Sequence, residues 1–192
     1  MTEIIIGKKS EEVTYEQLAE LIKHAHITNE QKGLIYSTQK LTATQIYDKI
    51  NRFNGTCFVA TINEKLVGTA SICIRKLNYW YYSGNVAVIH LVGVDPDYRG
   101  LNIASNLFSE CINWSSEKKI DIIVSDTAEE NEVMRKLYTK FGFLLTDFCF
   151  YPENNFNSVV YVKWLSGCPY DDDFRNNMYS KKRNEIIRKQ GY

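Results

Sequence analysis

The chain is poor in proline, has no excess charge of either sign, and contains no long hydrophobic run. Three prolines in 192 residues, with no compositionally biased tract, argue against a long disordered linker. The 23 Lys and Arg residues balance the 23 Asp and Glu residues. A net charge of zero gives no electrostatic case for nucleic acid as a partner. No apolar stretch approaches the length of a membrane span, and Met1–Lys8 lacks the apolar region of a signal peptide. No membrane partner is expected. Cys57, Cys73, Cys111, Cys149 and Cys168 are odd in number, far apart, and form no C-x-x-C pair. That speaks against a zinc site or a disulfide framework and for a reducing, cytoplasmic compartment. No metal is expected.

What is present is an ordinary soluble composition, 44% hydrophobic and 24% charged. The length suits one core-forming domain. Ile4–Ile6 reads as a short edge strand. Thr14-x-x-Gln17 is a capping box that opens a helix with Leu18, Leu21, Ile22 and Ala25 on one face. Thr42-x-x-Gln45 repeats it, with Ile46, Ile50 and Phe53 following and Asn54-Gly55 as the stop. Ile27–Lys40, between them, is polar and reads as a loop or a further short helix. The period then changes to two. Thr56–Ile62 and Leu66–Arg75 flank Asn63-Glu64-Lys65 as a hairpin. Val86–Val94 is apolar on both faces and therefore central. Ile103, Leu107, Cys111 and Trp114 mark a helix, and Ile120–Ser125 another buried strand. Thr127-x-x-Glu130 reads as the cap of a helix carrying Val133, Leu137 and Phe141. Phe143–Tyr151 and Ser158–Trp164 form a late strand pair. The strand–helix–strand unit from Val86 to Ser125 implies a parallel pair with a right-handed crossover. The class is α/β (α+β): a mixed sheet with helices on both faces.

The stretch Val88-Ile-His-Leu-Val-Gly-Val-Asp-Pro-Asp-Tyr-Arg-Gly-Leu-Asn-Ile-Ala104 runs from strand through tight turn into helix. The first N–H groups of a helix have no internal partner, and the helix dipole favours an anion there. Gly100 and Ala104 let a ligand approach the backbone, and Arg99 can add a charge-assisted contact. The same residues also read as a plain turn. The Gly-Lys-Ser/Thr ending of a triphosphate loop and the three-glycine dinucleotide fingerprint are both missing.

Two motifs narrow the choice. The first is Arg99-Gly-Leu-Asn-Ile-Ala104, preceded by Val94-Asp-Pro-Asp-Tyr98. The second is Asn131-Glu-Val-Met-Arg-Lys-Leu-Tyr138-Thr-Lys-Phe-Gly142-Phe143. In these the chain resembles the GNAT superfamily of acyl-CoA-dependent N-acetyltransferases. The resemblance is strongest from Thr56 to Phe143. It implies the GNAT fold, a mixed central sheet of about six to seven strands with helices on both faces. A splayed parallel strand pair would bind the cofactor. Residues 1–165 would form the N-acetyltransferase domain and residues 166–192 a C-terminal extension. The resemblance departs at Asn102, where the family has glycine; asparagine is among the side chains that tolerate left-handed backbone.

The family pattern implies acetyl-CoA as cosubstrate. Its pyrophosphate would lie on Arg99, Gly100, Leu101, Asn102, Ile103 and Ala104. Its pantetheine arm would run along Val92, Gly93 and Val94, with the Val94 N–H as oxyanion donor. Asn131 would bond the same arm or cap its own helix. Tyr138 matches the position of the acid that protonates the leaving thiolate, against a reading as a core aromatic. His90, the titratable residue inside Val86–Val94, is the candidate base, against a reading as a satisfied core histidine. Asp126 is the reserve base, with capping of the Thr127 helix as its favoured role. His24 and His26 read as solvated surface, and Cys111 as packing.

The expected function is transfer of an acetyl group from acetyl-CoA to a primary amine of a small-molecule acceptor, by direct attack in a ternary complex. The alternative is a non-catalytic acyl-CoA-binding or scaffolding module of the same fold. Acceptor recognition would fall to Ile27–Lys40, Tyr79–Tyr82 and Tyr151–Asn157. Gly84–Val94 has a faint similarity to amino-sugar N-acetyltransferases, so an amino sugar is one acceptor. A polyamine, an amino acid or a protein N-terminus stays open, as does monomer or homodimer. Asp171-Asp-Asp173 reads as the cap of a last helix carrying Phe174, Met178, Ile186 and Ile187, with Lys181, Lys182, Arg183, Arg188 and Lys189 exposed.

Overall fold

Both early capping boxes form. In the computed structural model, which describes residues 3–191, the Thr14 hydroxyl accepts from the Gln17 N–H at 3.2 Å, and the Gln17 side chain accepts from the Thr14 N–H at 2.8 Å. Met1, Thr2 and Tyr192, the ends of the two expected segments, lie outside the described residues. The first box opens α1 (Tyr15–Ala25), which buries Leu18, Leu21, Ile22 and Ala25 as the period requires. Each large apolar side chain so buried stabilises the fold by roughly 1.5–3 kcal/mol. Thr42 and Gln45 close the second box and open α3 (Ala43–Asn51). The polar connection between them holds a short helix, α2 (Ile27–Glu30), and a 3-10 turn at Ser37–Lys40. Phe53 falls beyond the end of α3 and stays partly exposed, because the helix stops two residues earlier than its apolar spacing suggests.

Seven strands form one sheet in the order β1-β2-β3-β4-β5-β7-β6. They are β1 (Ile4–Lys8), β2 (Thr56–Ile62), β3 (Lys65–Tyr79), β4 (Tyr82–Val94), β5 (Ile122–Ala128), β6 (Leu144–Phe150) and β7 (Asn157–Trp164). All pairs are antiparallel except β4–β5. The β2–β3 turn is Asn63-Glu64, with φ of 47° and 65°, the left-handed pair that a two-residue hairpin needs. The helix between the parallel strands, α4 (Ile103–Glu117), covers one face. Ile103, Leu107, Phe108 and Cys111 pack there against Ala87, Ile89 and Ile123. Helix α1 and helix α3 cover strands β2–β4 on the other face, where Leu18, Ile22, Ile46 and Ile50 meet Val59 and Leu91. Gly93 makes this close approach of α1 feasible: a Cβ there would lie 3.0 Å from the Ala25 Cβ.

One expected helix start is wrong. Thr127 does not cap a helix but lies buried within β5, paired with Val159 of β7. Ladder hydrogen bonds along an apolar run outweigh a local side-chain cap. The following helix, α5 (Glu132–Lys140), begins one turn later. Its cap is Asn131, whose Oδ1 accepts from the Met134 N–H at 3.3 Å. The apolar phase shifts with it, so Val133 is exposed and Tyr138 is buried. The last helix, α6 (Asp172–Lys189), starts at Asp171 as expected and docks on β6. Arg183 is not free on its surface. It pairs with Glu129 at 3.2 Å and lies over the Phe148 ring. The aromatic run at the β3–β4 turn serves packing: Trp80 and Tyr81 meet Trp164, Tyr170 and Phe174. Among the described residues no helix is long and apolar enough to cross a membrane.

Candidate active site

The parallel pair is short. Strands β4 and β5 are paired at Ala87↔Ile123 and Val88↔Val124 and then separate. The cause is a bulge in β4. Between the pairs Ser71↔His90 and Thr69↔Gly93, β3 has one residue and β4 has two, Leu91 and Val92. Leu91 takes φ 52°, a left-handed conformation that bends the strand away from β5. Beyond the bulge, the Asp95 N–H bonds the Val67 carbonyl of β3 at 2.9 Å. Strand alternation then turns the N–H and C=O groups of Val92 and Val94 to the opposite, unpaired edge, while Gly93 faces β3. An extended amide-bearing chain can pair with that edge.

At the wide end of the splay lies the N-terminus of α4. Gly100 (φ 82°) and Asn102 (φ 60°) are both left-handed. The first bond of the helix is donated by Asn106 to the Asn102 carbonyl at 3.0 Å. The N–H groups of Leu101, Asn102, Ile103 and Ala104 precede it and have no carbonyl partner in the helix. Successive N–H groups around left-handed residues form an anion-binding concavity. Asn102 supplies the backbone shape of the glycine it replaces, and its side chain caps nothing. Arg99 does not face this concavity. Its guanidinium donates to the Ala25 carbonyl at 2.6 Å and to the Thr28 hydroxyl at 2.8 Å, closing the C-terminal end of α1.

On the α4 face, Tyr138 sits at the crotch of the splay. Its hydroxyl is 2.9 Å from the Ser125 Oγ and donates to the Asp126 carbonyl at 2.9 Å. Ser125 in turn donates to the Ile89 carbonyl at 3.1 Å, a side-chain bridge where the strand ladder has ended. Tyr138 is 1% exposed, and burial pushes its pKa well above the ordinary phenol value. Asn131 is tied on both sides of its amide. Its Oδ1 caps α5, and its Nδ2 donates to the Tyr36 hydroxyl at 3.0 Å. Tyr36 also meets the Thr127 hydroxyl at 3.2 Å and stacks on His26 at 4.5 Å. Side chains of Asn154 and Asn155 accept from the N–H groups of Ser37 and Ile35, so this connection spans the wide end of the splay. Sequence reasoning missed Tyr36; the one available signal was a lone aromatic in a polar connection. His26 is not solvated surface. Burial, with Arg99 nearby, lowers its pKa to about 4.

The other face carries the candidate bases. Val86, Val88 and His90 alternate onto it from β4, and Ile122, Val124 and Asp126 from β5. His90 and Asp126 each lie two residues beyond the last paired residues, Val88 and Val124, so they flank the opening splay at the same level. Burial, then Arg75 and Lys49, lowers the His90 pKa to about 3. Its Nε2 is buried without a partner. Burial raises the Asp126 pKa to about 6, partly offset by the neighbouring Ser158 hydroxyl. Asp126 is exposed to solvent within an otherwise buried strand, with protein crowding around its carboxyl. Asp126 is no helix cap. It is a solvent-exposed carboxyl whose charge helps to raise the pKa values of Tyr79, Cys149 and Tyr151. Cys111 is fully buried and packs, as expected.

The sequence profile described as the Acetyltransferase (GNAT) family matches residues 17–143, and so includes the bulge, the α4 loop and Tyr138. The chain belongs to the GNAT acetyltransferase family. Solved structures of similar fold include an acetyltransferase from Streptococcus agalactiae 2603, 23% identical with a TM-score of 0.65, covering 84% of this chain and 98% of that one. An N-acetyltransferase from Staphylococcus aureus Mu50 is 22% identical with a TM-score of 0.65, covering 85% and 99%. Arabidopsis thaliana NAA60 in complex with acetyl-CoA is 18% identical with a TM-score of 0.64, covering 86% and 100%. At these identities the likeness concerns the fold. No curated protein matches the chain. Within this GNAT fold the residues expected to act lie around one splay: Val92, Gly93 and Val94 on its β4 edge, Gly100–Ala104 at its mouth, and Tyr138 and His90 on opposite faces. Arg99 alone turns its side chain away.

Proposed function

We propose that the chain is an N-acetyltransferase that moves an acetyl group from acetyl-CoA to a primary amine by direct attack. The carrying observation is the unpaired β4 edge that leads from the bulge at Leu91 to the unpartnered N–H groups at the start of α4. Those groups fit the acetyl-CoA that accompanies NAA60, a protein of the same fold. The edge of Val92 and Val94 would hold the amide-bearing arm, and Leu101–Ala104 the pyrophosphate. Gly100 leaves the approach open, since a Cβ there would meet nothing within 4 Å. Acetyl-CoA supplies the activated acetyl thioester.

The residues of the splay divide the remaining work. The acceptor amine would enter from the α1 face, onto which the exposed Asp126 is directed. Asp126, with a pKa of about 6, is largely ionised at neutral pH and accepts the ammonium proton. His90, at about 3, is too weak a base for that task. The amine nitrogen then bonds to the acetyl carbon and the carbon–sulfur bond breaks. Tyr138, kept protonated by burial, gives its proton to the departing thiolate from the α4 face, and the second proton lost by the acylated nitrogen restores the phenol by way of water. An oxyanion donor must stand about 2.7–3.1 Å from the developing charge. Val92 lies beside the bulge, near the level of His90 and Asp126. Val94 lies two residues further, roughly 7 Å along the strand. We therefore assign the oxyanion N–H to Val92 and the arm contact to Val94.

A thiol-release assay with acetyl-CoA and a panel of amines tests the reading. Acetylated amine and free CoA in equal amounts are expected. CoA binding without turnover of any amine favours the non-catalytic module. No CoA binding defeats both readings.

A further inference from the structure

The splay has two walls, and they differ. Val92 and Val94 of β4 turn unpaired N–H and C=O groups to it. On β5 the Glu129 N–H donates to the Asn157 carbonyl of β7 at 3.0 Å. Backbone alternation therefore turns the groups of Asp126 and Ala128 the other way, toward β4. Partners within the protein hold both of their carbonyls and the Ala128 N–H. Tyr138 donates to the Asp126 carbonyl, and the Asn131 N–H donates to the Ala128 carbonyl at 3.0 Å. The Ala128 N–H donates to the Tyr36 hydroxyl at 3.4 Å, and the Asn131 Nδ2 donates to the same oxygen at 3.0 Å. With two donors on its oxygen, the phenol sends its own proton to the Thr127 hydroxyl at 3.2 Å.

This phenol is held from every side. Its ring lies between His26 and Phe156, with centroids 4.5 Å from each. The N–H groups of its neighbours Ile35 and Ser37 donate to the Asn155 and Asn154 side chains at 2.7 and 2.8 Å. Its own N–H donates to the Gln39 side chain at 3.0 Å. No residue among 27–40 is buried, so these bonds and stacks, not core packing, place the segment. Tyr36 belongs to neither sequence motif of the splay, yet the β5 wall depends on it at the wide end.

Without the phenol oxygen, the Ala128 N–H and the Asn131 Nδ2 would both face the splay, and both match the carbonyls of an amide-bearing arm. An arm with partners on two walls has more than one register. We propose, on the transfer reading above, that Tyr36 is a positioning residue. Its phenol caps the β5 wall so that the cofactor arm pairs with β4 alone, which sets the thioester carbonyl at the Val92 N–H and its sulfur near Tyr138. The cap acts on where acetyl-CoA lies, not on how tightly it binds.

Tyr36→Phe keeps the ring and deletes the oxygen. Acetyl-CoA labelled with carbon-13 at the acetyl carbonyl is bound to wild type and variant; calorimetry gives its affinity and NMR its carbonyl resonance. Single-turnover transfer is followed with a panel of amines that includes hexylamine and glucosamine. In wild type the bound resonance should lie downfield of free acetyl-CoA, as that of a hydrogen-bonded carbonyl does. In Tyr36→Phe it should return toward the free position, while affinity stays within about 3-fold or tightens, because the released donors pair with the arm in the wrong register. Transfer should fall by about 10-fold or more, the scale of a misplaced reactant. Asn155→Ala, which loosens the segment without touching the phenol, should move the resonance the same way by less, and it decides the matter should Tyr36→Phe fail to fold. A merely structural Tyr36 would weaken binding by about 10-fold and leave the resonance of the bound fraction unmoved. An unmoved resonance, a wild-type resonance at the free position, or wild-type transfer in Tyr36→Phe overturns the proposal. A resonance that moves as expected, with no amine of the panel acetylated, leaves this assignment standing and sinks the transfer reading. Failure of the wild type to bind acetyl-CoA sinks both.

Discussion

The two faces of the sheet at the β4–β5 splay differ in how their polar groups are held. On the α4 face every one is engaged. Tyr138 donates to the Asp126 carbonyl with the Ser125 hydroxyl beside it, Ser125 donates to the Ile89 carbonyl, and Asn131 is held by Tyr36 and Met134. On the α1 face the Nε2 of His90 and the Nε of Arg75 have no partner, and Asp126 stands open to solvent. A closed network holds a proton donor in one geometry. Polar groups without a protein partner are free to pair with a ligand. The fixed face thus suits the constant part of the reaction, departure of a thiolate, and the open face suits the acceptor.

The comparison breaks hardest at Asp126. Asp126→Asn should lower kcat by roughly 100- to 1,000-fold, the scale of a lost general base. The pH profile carries the signature. With a pKa of about 6, Asp126 is protonated and idle in acid, so wild-type kcat/KM should rise as pH increases through 6. The variant should lack that limb. Stability should move the other way. The folded carboxyl holds its proton up to about 6, whereas its ordinary value is 3.8. Over that interval the native state binds more protons than the unfolded chain, so stability falls as pH rises. Removing the carboxyl should therefore stabilise the protein at pH 7, by roughly 1 kcal/mol once discounted for solvent contact. A loss of stability together with a lost rate would make Asp126 a structural residue.

Tyr138→Phe tests the closed face. The chemical rate should fall by roughly 10- to 100-fold in single turnover, with little change in CoA affinity. The substitution also leaves the Asp126 carbonyl without its donor and Ser125 without its neighbour. A loss of about 1–3 kcal/mol in urea denaturation should accompany it. Wild-type chemistry with that loss would mean that the phenol only packs.

The closed face was the more legible in sequence, and the reason is physical. Tyr138, Asn131 and the α4 loop belong to contiguous strings whose backbone shape dictates the residue, as Asn102 at φ 60° shows. The central strand, both early capping boxes and the hairpin at Asn63-Glu64 were readable because local rules alone decide them. Asp126 was misjudged because a plausible cap at Thr127 competed with strand pairing to β7, and partners 30 residues away decided the outcome. The open face joins residues from β4 and β5, which no local pattern brings together. Tyr36 escaped notice because the three hydrogen-bond partners of its hydroxyl are about 90 residues distant in sequence.

His90 sharpens the comparison with a smaller effect. A pKa of about 3 leaves it neutral throughout the working range and makes it a poor proton acceptor. His90→Gln keeps a polar group on the same face. It should cost less than about 10-fold in kcat, well short of what a general base contributes. The rise through pH 6 should persist in the variant. A drop of about 100-fold with the acid limb abolished would return the base role to His90 and leave Asp126 as its neighbour.

The smallest effect belongs to Asn102→Gly. Asn102 already holds the left-handed conformation, its side chain caps nothing, and the anion site beside it consists of backbone N–H groups. Glycine keeps those groups in place and removes a side chain next to the proposed pyrophosphate. CoA affinity should therefore stay equal or tighten, by no more than about 3-fold, because neutral hydrogen bonds of this kind are each worth on the order of 1 kcal/mol. The free protein should be slightly less stable, since glycine surrenders more chain entropy on folding. A fall in CoA affinity of about 10-fold would contradict this account. It would mean that the Asn102 amide itself contacts the cofactor, and that the mouth of the splay uses a side chain in addition to backbone.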